Sequence, residues 1–277
     1  MNSKPFPLGL FSYIGYDLPL DKRLELIADA GFDATSIWWG DEEDICRQGM
    51  HHQTAGMVRD QGLIFEFIHV PFQECNDFWS ETASARDRAV SRHLAWVQDC
   101  AELGIPMMVM HPARGSYSGL INRFGVESIA RIVSAAEDAG IIIAVENTRR
   151  MDCIDPIFSE IESPNLGLCY DSSHERLCVD DTGMLLRCLG DRLRATHLSD
   201  NDGLSDKHWL PGEGVIDWSA IADAFPADSY TGCFTLEVVP EKLAKTTSPA
   251  EFLAEAFTRA NRLAGMIFDD HAPKGES

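Results

Sequence analysis

At 277 residues, 45% hydrophobic and 24% charged, the chain is long enough for one large α/β core and too ordinary in composition for a disordered protein. Lys and Arg number 23 against 44 Asp and Glu, a formal net charge of −21; a surface of that sign repels nucleic acid and anionic membrane and favours a small neutral or cationic partner, unless a metal cluster inverts the field inside a pocket. The eight cysteines (46, 75, 100, 153, 169, 178, 188 and 233) contain no CxxC pair, so neither a thiolate zinc knuckle nor a redox dithiol is indicated. No stretch reaches the roughly 18 apolar residues of a membrane span and no leader-like segment is seen, so the cytoplasm is the expected compartment.

Along the chain one phrase recurs four times: a helical segment ends in glycine, a short apolar strand follows, and the strand ends in polar or aromatic residues. The phrases are LIADAG-FDATSIWW, VRDQG-LIFEFIHVPF, CAELG-IPMMVMHP and AEDAG-IIIAVENT. Gly31, Gly62, Gly104 and Gly140 stand where a helix end needs positive φ, and the runs after them suit strands buried on both faces. In chain order the expected strands are 8–13, 34–39, 65–70, 107–111, 141–147, 166–171, 194–199 and 233–239. Between them, Asp21 is placed as a helix N-cap, Val90, Leu94, Val97 and Ala101 as one apolar helix face, and Val126, Ile129, Val133 and Ala136 as another. Eight strands alternating with helices is the closing number of a (β/α)₈ TIM barrel. No GxGxxG or GxxxxGK follows the first strand, which disfavours a doubly wound nucleotide-binding sheet. No linker divides the chain, so residues 1–277 are expected to form one barrel domain with a frayed tail from about Asp269.

In such a barrel the carboxyl ends of the strands form the active-site mouth. Here those ends carry His69, His111, Glu146, Asp171, His197 and Glu237. Singly, each reads as an ordinary loop cap or a hydrogen-bonded histidine. Six on consecutive strands are another matter: carboxylates converging in a partly dehydrated mouth repel one another unless a cation neutralises them, and imidazole with carboxylate is a donor set for divalent transition metals. His174, Asp206 and His208 lie close by in sequence, the last two before a Pro211-Gly212-Glu213-Gly214 turn, and could coordinate, orient or simply face solvent. Trp38, Trp39, Phe72, Trp79 and Trp209 fall at or just past strand ends, where they serve either as a platform for a sugar face or as barrel packing. Arg114, and Arg149 with Arg150, follow strands four and five; both readings stand, a bidentate grip on a substrate phosphate or carboxylate and ordinary surface arginines. Trp39, Phe72, Lys207 and Arg114 are taken as the substrate contacts.

These phrases together resemble the xylose isomerase-like superfamily, which gathers sugar isomerases, ketose 3-epimerases, inosose dehydratases and endonuclease IV. The matching residues are His69 in FIHVPF, His111-Pro112, Glu146-Asn147, Asp171-x-x-His174, His197-x-x-Asp200, His208-x-x-Pro211-Gly-Glu-Gly-x-Ile-Asp217-Trp218 and Glu237. By resemblance to the ketose epimerases, Glu146, Asp171, His197 and Glu237 hold one ion, Mn or Zn foremost with Co, Fe and Mg compatible, and His174 contacts substrate. Glu146 and Glu237 then exchange a proton on opposite faces of a carbon beside a carbonyl, through an enediolate that the metal stabilises. By resemblance to endonuclease IV, His69, His111, Glu146, Asp171, His174, His197, Asp206, His208 and Glu237 are nine ligands of three zinc ions that hydrolyse a phosphodiester. The mouth loops WWGDEED, PFQECNDFW and SDNDGLSDKH are acidic or apolar, which disfavours nucleic acid and favours a small carbohydrate. A metal- or sugar-binding barrel without turnover is the third reading, against which the pair Glu146 and Glu237 argues. A homo-oligomer is compatible with the sequence.

Overall fold

The computed structural model describes residues 6–40, 51–240 and 247–271, with side chains to Ile267 in the last segment. Eight strands alternate with helices: β1 (Leu8–Phe11), α1 (Leu20–Asp29), β2 (Ala34–Trp38), α2 (His51–Asp60), β3 (Ile64–His69), α3 (Ala83–Leu103), β4 (Met107–Met110), α4 (Arg123–Ala139), β5 (Ile142–Glu146), α5 (Ile154–Glu160), β6 (Leu166–Asp171), α6 (Ser172–Arg176), α7 (Met184–Leu189), β7 (Leu193–His197), α8 (Trp218–Ala224), β8 (Phe234–Leu236) and α9 (Pro249–His271). Neighbouring strands pair in parallel in the order β7-β6-β5-β4-β3-β2-β1-β8. The ring closes through the Leu198–Leu236 bridge. There the Leu198 amide donates to the Thr235 carbonyl at 3.1 Å and the Glu237 amide to the Leu198 carbonyl at 3.2 Å. The Thr196 hydroxyl stands in for part of the missing ladder, accepting from the Thr235 amide at 2.9 Å. This is the expected TIM barrel.

The four phrase-ending glycines adopt φ of 98°, 74°, 66° and 71°, a region in which a Cβ is strained. α4 buries Val126, Ile129, Val133 and Ala136 as read, and is capped by Asn122, whose side chain accepts from the Phe124 and Gly125 amides. Two local readings need correction. Asp21 lies inside the first turn of α1 behind Pro19, with no side-chain cap; there its charge complements the helix dipole. In α3 the buried stripe is Ala85, Ala89, Val90, His93, Val97 and Cys100, while Ala101 is exposed and Leu94 half-buried; over 21 residues the 3.6-residue period carries the buried face round the helix. The last helix continues to His271, two residues past the point where fraying was expected; residues 272–277 and Cys46 lie outside the described residues.

Most of the core lies between the strands and the helices, while Phe67, Met107, Val109, Ala144, Cys169 and Ala195 fill the barrel interior. Against β2, β3 carries an extra residue: Thr35 pairs with Phe65 and Ile37 with Ile68. This bulge lets both Phe67 and Glu66 reach the interior. The Glu66 carboxylate accepts from the Thr235 hydroxyl at 2.5 Å and from the Cys233 amide at 3.1 Å.

Candidate metal centre

His69, Glu146, Asp171 and His197 are the last residues of β3, β5, β6 and β7, and His111 and Glu237 follow β4 and β8 directly. Along the ladder Asp171 pairs with His197, and Glu146 with Cys169, the residue two before Asp171 on the same strand face. The buried Glu146 carboxylate is the hub. Its Oε2 lies 3.1 Å from His69 Nε2, 3.2 Å from His111 Nε2 and 3.1 Å from His197 Nδ1, and its Oε1 lies 3.1 Å from His174 Nδ1. Glu237 Oε2 is 3.3 Å from His197 Nδ1. Donor atoms of Asp171, His197 and Glu237 all fall within 4.8 Å of one another, as do those of Glu146, Asp171 and His174. Asp171 belongs to both of these groups, and His197 to the first of them and to one with Glu146 and Cys169, so the four expected ligands fall into overlapping groups of three.

Several of these atoms are buried without a hydrogen-bond partner: Asp171 Oδ2, His174 Nδ1, His208 Nδ1 and both ring nitrogens of His197. An unpaired buried polar atom costs about 1–3 kcal/mol, and a divalent cation is the partner that satisfies carboxylate and imidazole lone pairs at once. The proton balance agrees. Burial alone would raise the Glu146 carboxyl, yet the imidazoles of His111 and His197 outweigh it and hold it well below its usual range. Burial, with the neighbouring carboxylates of Glu146, Asp206 and Glu237 and against the pull of His174, pushes Asp171 up to about 7. Burial opposes charge on His197 and His174, but the acidic groups around them win and raise both. Without a metal the cluster holds protons on the imidazoles of His174 and His197 and in part on Asp171; metal binding would displace them.

A second group sits toward solvent. Asp206 Oδ2 lies 3.2 Å from both His174 Nε2 and His208 Nε2, and His208 Nδ1 is 3.9 Å from Glu237 Oε2. The His174 amide donates to Asp171 Oδ1 at 2.6 Å, and the Ser173 hydroxyl to Asp206 Oδ1 at 2.6 Å. Among the described residues His208 is the one non-glycine with positive φ, 48°, a conformation that surrounding structure must enforce. The loop that carries it is fastened by Asp200. Its buried carboxylate accepts from the amides of Gly212 (2.9 Å) and Ile216 (3.1 Å) and from the Trp218 indole (3.1 Å), while the Asp200 and Trp209 backbones pair in both directions. Gly214 must be glycine, because a Cβ there would strike the Asn201 carbonyl.

Above the hub opens a cavity of about 390 Å³ whose walls include Trp38, Phe72, Arg114, Arg149, Asp206 and His208. The Phe72 ring stacks on His111 at 4.5 Å between centroids, and Trp38 lies 5.3 Å from His69. Trp39 is a correction: alternate residues of a strand face opposite ways, and Trp39 turns outward, its buried indole donating to Asp99 Oδ2 at 2.9 Å. Trp79 likewise packs as core, its indole donating to the Pro112 carbonyl at 2.7 Å. Lys207 is not among the residues lining the cavity, whereas Arg114 is. Arg150 is committed elsewhere, to Asp152 at 2.7 and 2.8 Å and to the Tyr117 and Gly119 carbonyls. Cys169 was missed: its sulfur falls within 4.8 Å of ligand atoms of Glu146 and His197. Its place two residues before Asp171, on the same strand face, was the available signal.

The chain is 28% identical over 286 residues, 91% of each protein, to the uncharacterised protein y4fM of Sinorhizobium fredii. It is 41% identical to the fructoselysine 3-epimerase of Escherichia coli O157:H7 over 51 residues, only 18% of each chain. Among solved structures it superposes on an L-ribulose 3-epimerase with a TM-score of 0.78 at 18% identity, covering 98% of this chain and 99% of that one. It also superposes on a xylose isomerase-like TIM barrel/4-hydroxyphenylpyruvate dioxygenase fusion protein, TM-score 0.77 at 19% identity, covering 98% of this chain but 45% of that one. At such identities the likeness speaks for the fold. The model of the xylose isomerase-like TIM barrel family matches residues 24–256, and the chain belongs to that family.

Proposed function

We propose that this chain is a divalent-metal-dependent isomerase or epimerase of a small carbohydrate, moving a proton at a carbon beside a carbonyl. The observation that carries the reading is the placement of two carboxylates, Glu146 and Glu237, beside the unpartnered Asp171 and His197 atoms at the floor of one cavity. The local likeness to a fructoselysine 3-epimerase and the fold shared with an L-ribulose 3-epimerase point the same way.

Glu146, Asp171, His197 and Glu237 would hold the ion; Mn or Zn suits the mixed nitrogen and oxygen donors best, with Co, Fe and Mg compatible. Bound there, a divalent cation supplies positive charge beside the carbonyl and so favours the enediolate that forms on proton loss. Glu146, kept ionised by the imidazoles around it, is the group ready to accept that proton. Glu237, 18% exposed against 1% for Glu146, sits nearer the opening and returns a proton from the other side. His174 contacts substrate, and Trp38 and Phe72 offer an apolar face to a sugar ring while excluding water.

Incubation with Mn²⁺ and a panel of ketoses in D₂O should give carbon-bound deuterium, and Glu146→Gln should slow it about 100-fold or more. Exchange at an undiminished rate in that variant would remove Glu146 as the base. One observation favours a second reading, a zinc phosphoesterase: beyond the four ligands, His69 and His111 meet Glu146, and His174 and His208 meet Asp206. Metal analysis separates the two, since one ion per chain fits the isomerase, whereas three zinc ions with phosphodiester cleavage and no exchange fit the hydrolase.

A further inference from the structure

The mouth of this acidic barrel has one cationic wall. Arg114, after β4, and Arg149, after β5, both line the cavity, and among the described residues neither guanidinium has a hydrogen bond or an ion pair. Several other arginines are committed to carboxylates: Arg131 to Asp87, Arg150 to Asp152, Arg187 to Asp181 and Arg259 to Glu255. In a protein with 44 acidic residues, two arginines that line one cavity and have no ion pair among the described residues differ from those four. The carboxylates of the cavity, Glu146, Asp206 and Glu237, belong to the ligand cluster instead.

The wall is also built, in the sense that its backbone is fixed. The Arg114 amide donates to Asn76 Oδ1 at 2.9 Å, and the Tyr117 amide closes a turn onto the Arg114 carbonyl at 2.8 Å. The Thr148 hydroxyl ties the β5 loop to the Ala113 carbonyl at 2.9 Å. Arg150 holds the far side of the same loop through the Tyr117 and Gly119 carbonyls. Arg149 lies across Gly115, where a Cβ would come within 3.0 Å of its Nε. The same Cβ would come within 3.1 Å of the Arg149 Cβ, so the glycine leaves room for Arg149 to lie against this loop.

We propose that the substrate carries a terminal anion, a phosphate monoester or a carboxylate, which Arg114 and Arg149 grip while its carbonyl end lies over the Glu146 cluster. Paired guanidinia match the oxygens of either anion through parallel N–H donors. The inner cations also oppose the repulsion that a surface of net charge −21 exerts on an anionic substrate. The proposal rests on the isomerase reading for where the carbonyl lies, but the anion grip itself does not.

Two measurements on the full chain keep them apart. In protein stripped of metal by a chelator and dialysed, calorimetric titration with inorganic phosphate should show association that weakens about tenfold or more in Arg114→Gln/Arg149→Gln. The Arg114→Lys/Arg149→Lys variant keeps the charges and loses the forked donors, so it should fall between; a Gln variant that binds phosphate as well as the parent does shows that these side chains do not hold the anion, and the proposal fails. With Mn²⁺ restored, deuterium exchange is compared across ketopentoses and ketohexoses supplied as neutral sugars, terminal phosphates and terminal carboxylates. A kcat/KM about tenfold or more higher for one anionic series, lost through KM in the Gln variant, supports the proposal and tells phosphate from carboxylate. Neutral sugars exchanging as well as both anionic series, with phosphate binding untouched by the Gln substitutions, overturns it and leaves the isomerase standing. Phosphate binding lost in the Gln variant with exchange on no sugar does the reverse.

Discussion

Replacing Glu66 by Gln should change how stability depends on pH. Glu66 is a buried carboxyl inside the barrel, and burial pushes it from 4.5 up to about 7, against the pull of the Thr235 and Cys233 donors and the more distant His197. In the unfolded chain the same group ionises near its ordinary value, so between pH 4.5 and 7 the folded state holds a proton that the unfolded state has released. Stability from this group is therefore full below about pH 4.5 and is lost as pH rises to about 7. The slope is about 1.4 kcal/mol per pH unit for one proton, which across that interval amounts to about 3 kcal/mol. Gln has nearly the same shape, accepts from the Cys233 amide through its oxygen, and does not ionise. Urea denaturation of the metal-free chain at pH 5 and pH 8 is the assay. At pH 5 the two proteins should differ little, and at pH 8 the Gln variant should gain on the parent by about 3 kcal/mol. A difference that is the same at both pH values would refute the claim that Glu66 is buried as a neutral acid.

Two other substitutions test the site and its support. Asp171→Asn removes a carboxylate whose Oδ2 is buried and unpartnered while leaving an oxygen for the His174 amide; Mn²⁺ affinity should fall roughly a hundredfold or more, beyond the loss typical of outer hydrogen-bond partners, and unchanged affinity in a metal titration would take Asp171 out of the ligand set. Asp200→Ala strips an acceptor from the Gly212 and Ile216 amides and the Trp218 indole; a loss of about 3 kcal/mol or more in urea unfolding is expected, with faster proteolysis within residues 202–216, and an unaltered cleavage rate would show that Asp200 does not pin that loop.

The barrel was legible because its signals are local. A helix-ending glycine and a strand-ending polar residue are each set within one βα unit, so Gly31, Gly62, Gly104 and Gly140 and the six strand-end polar residues could be read without knowing what packs on what. The misreadings involve distant partners or direction. Trp39 stands next to Trp38, and only the parity of β2 decides that one faces the cavity and the other Asp99. Asp200 reads as one more acidic residue in a metal-rich phrase, yet its partners lie 12 to 18 residues ahead and make it the fastening of the loop. Glu66 gives no warning in sequence at all, because the bulge that turns it inward is set by pairing with β2 and its partners are 167 and 169 residues away. Arg150 and Arg149 are neighbours with opposite fates, one consumed by Asp152 and the Tyr117 loop, the other left facing the cavity.

The join between the first and last rungs of the ladder order falls across the site. β7 and β8 meet through the Leu198–Leu236 bridge and the Thr196 side chain rather than a full ladder, and His197 stands on one side of that join with Glu237 on the other. A cation held by both, as proposed above, would be a clasp on the hoop of strands, drawing its ends together at the rim. An ion bound there would join the two ends of the strand order, and by mass action its binding would stabilise the closed barrel.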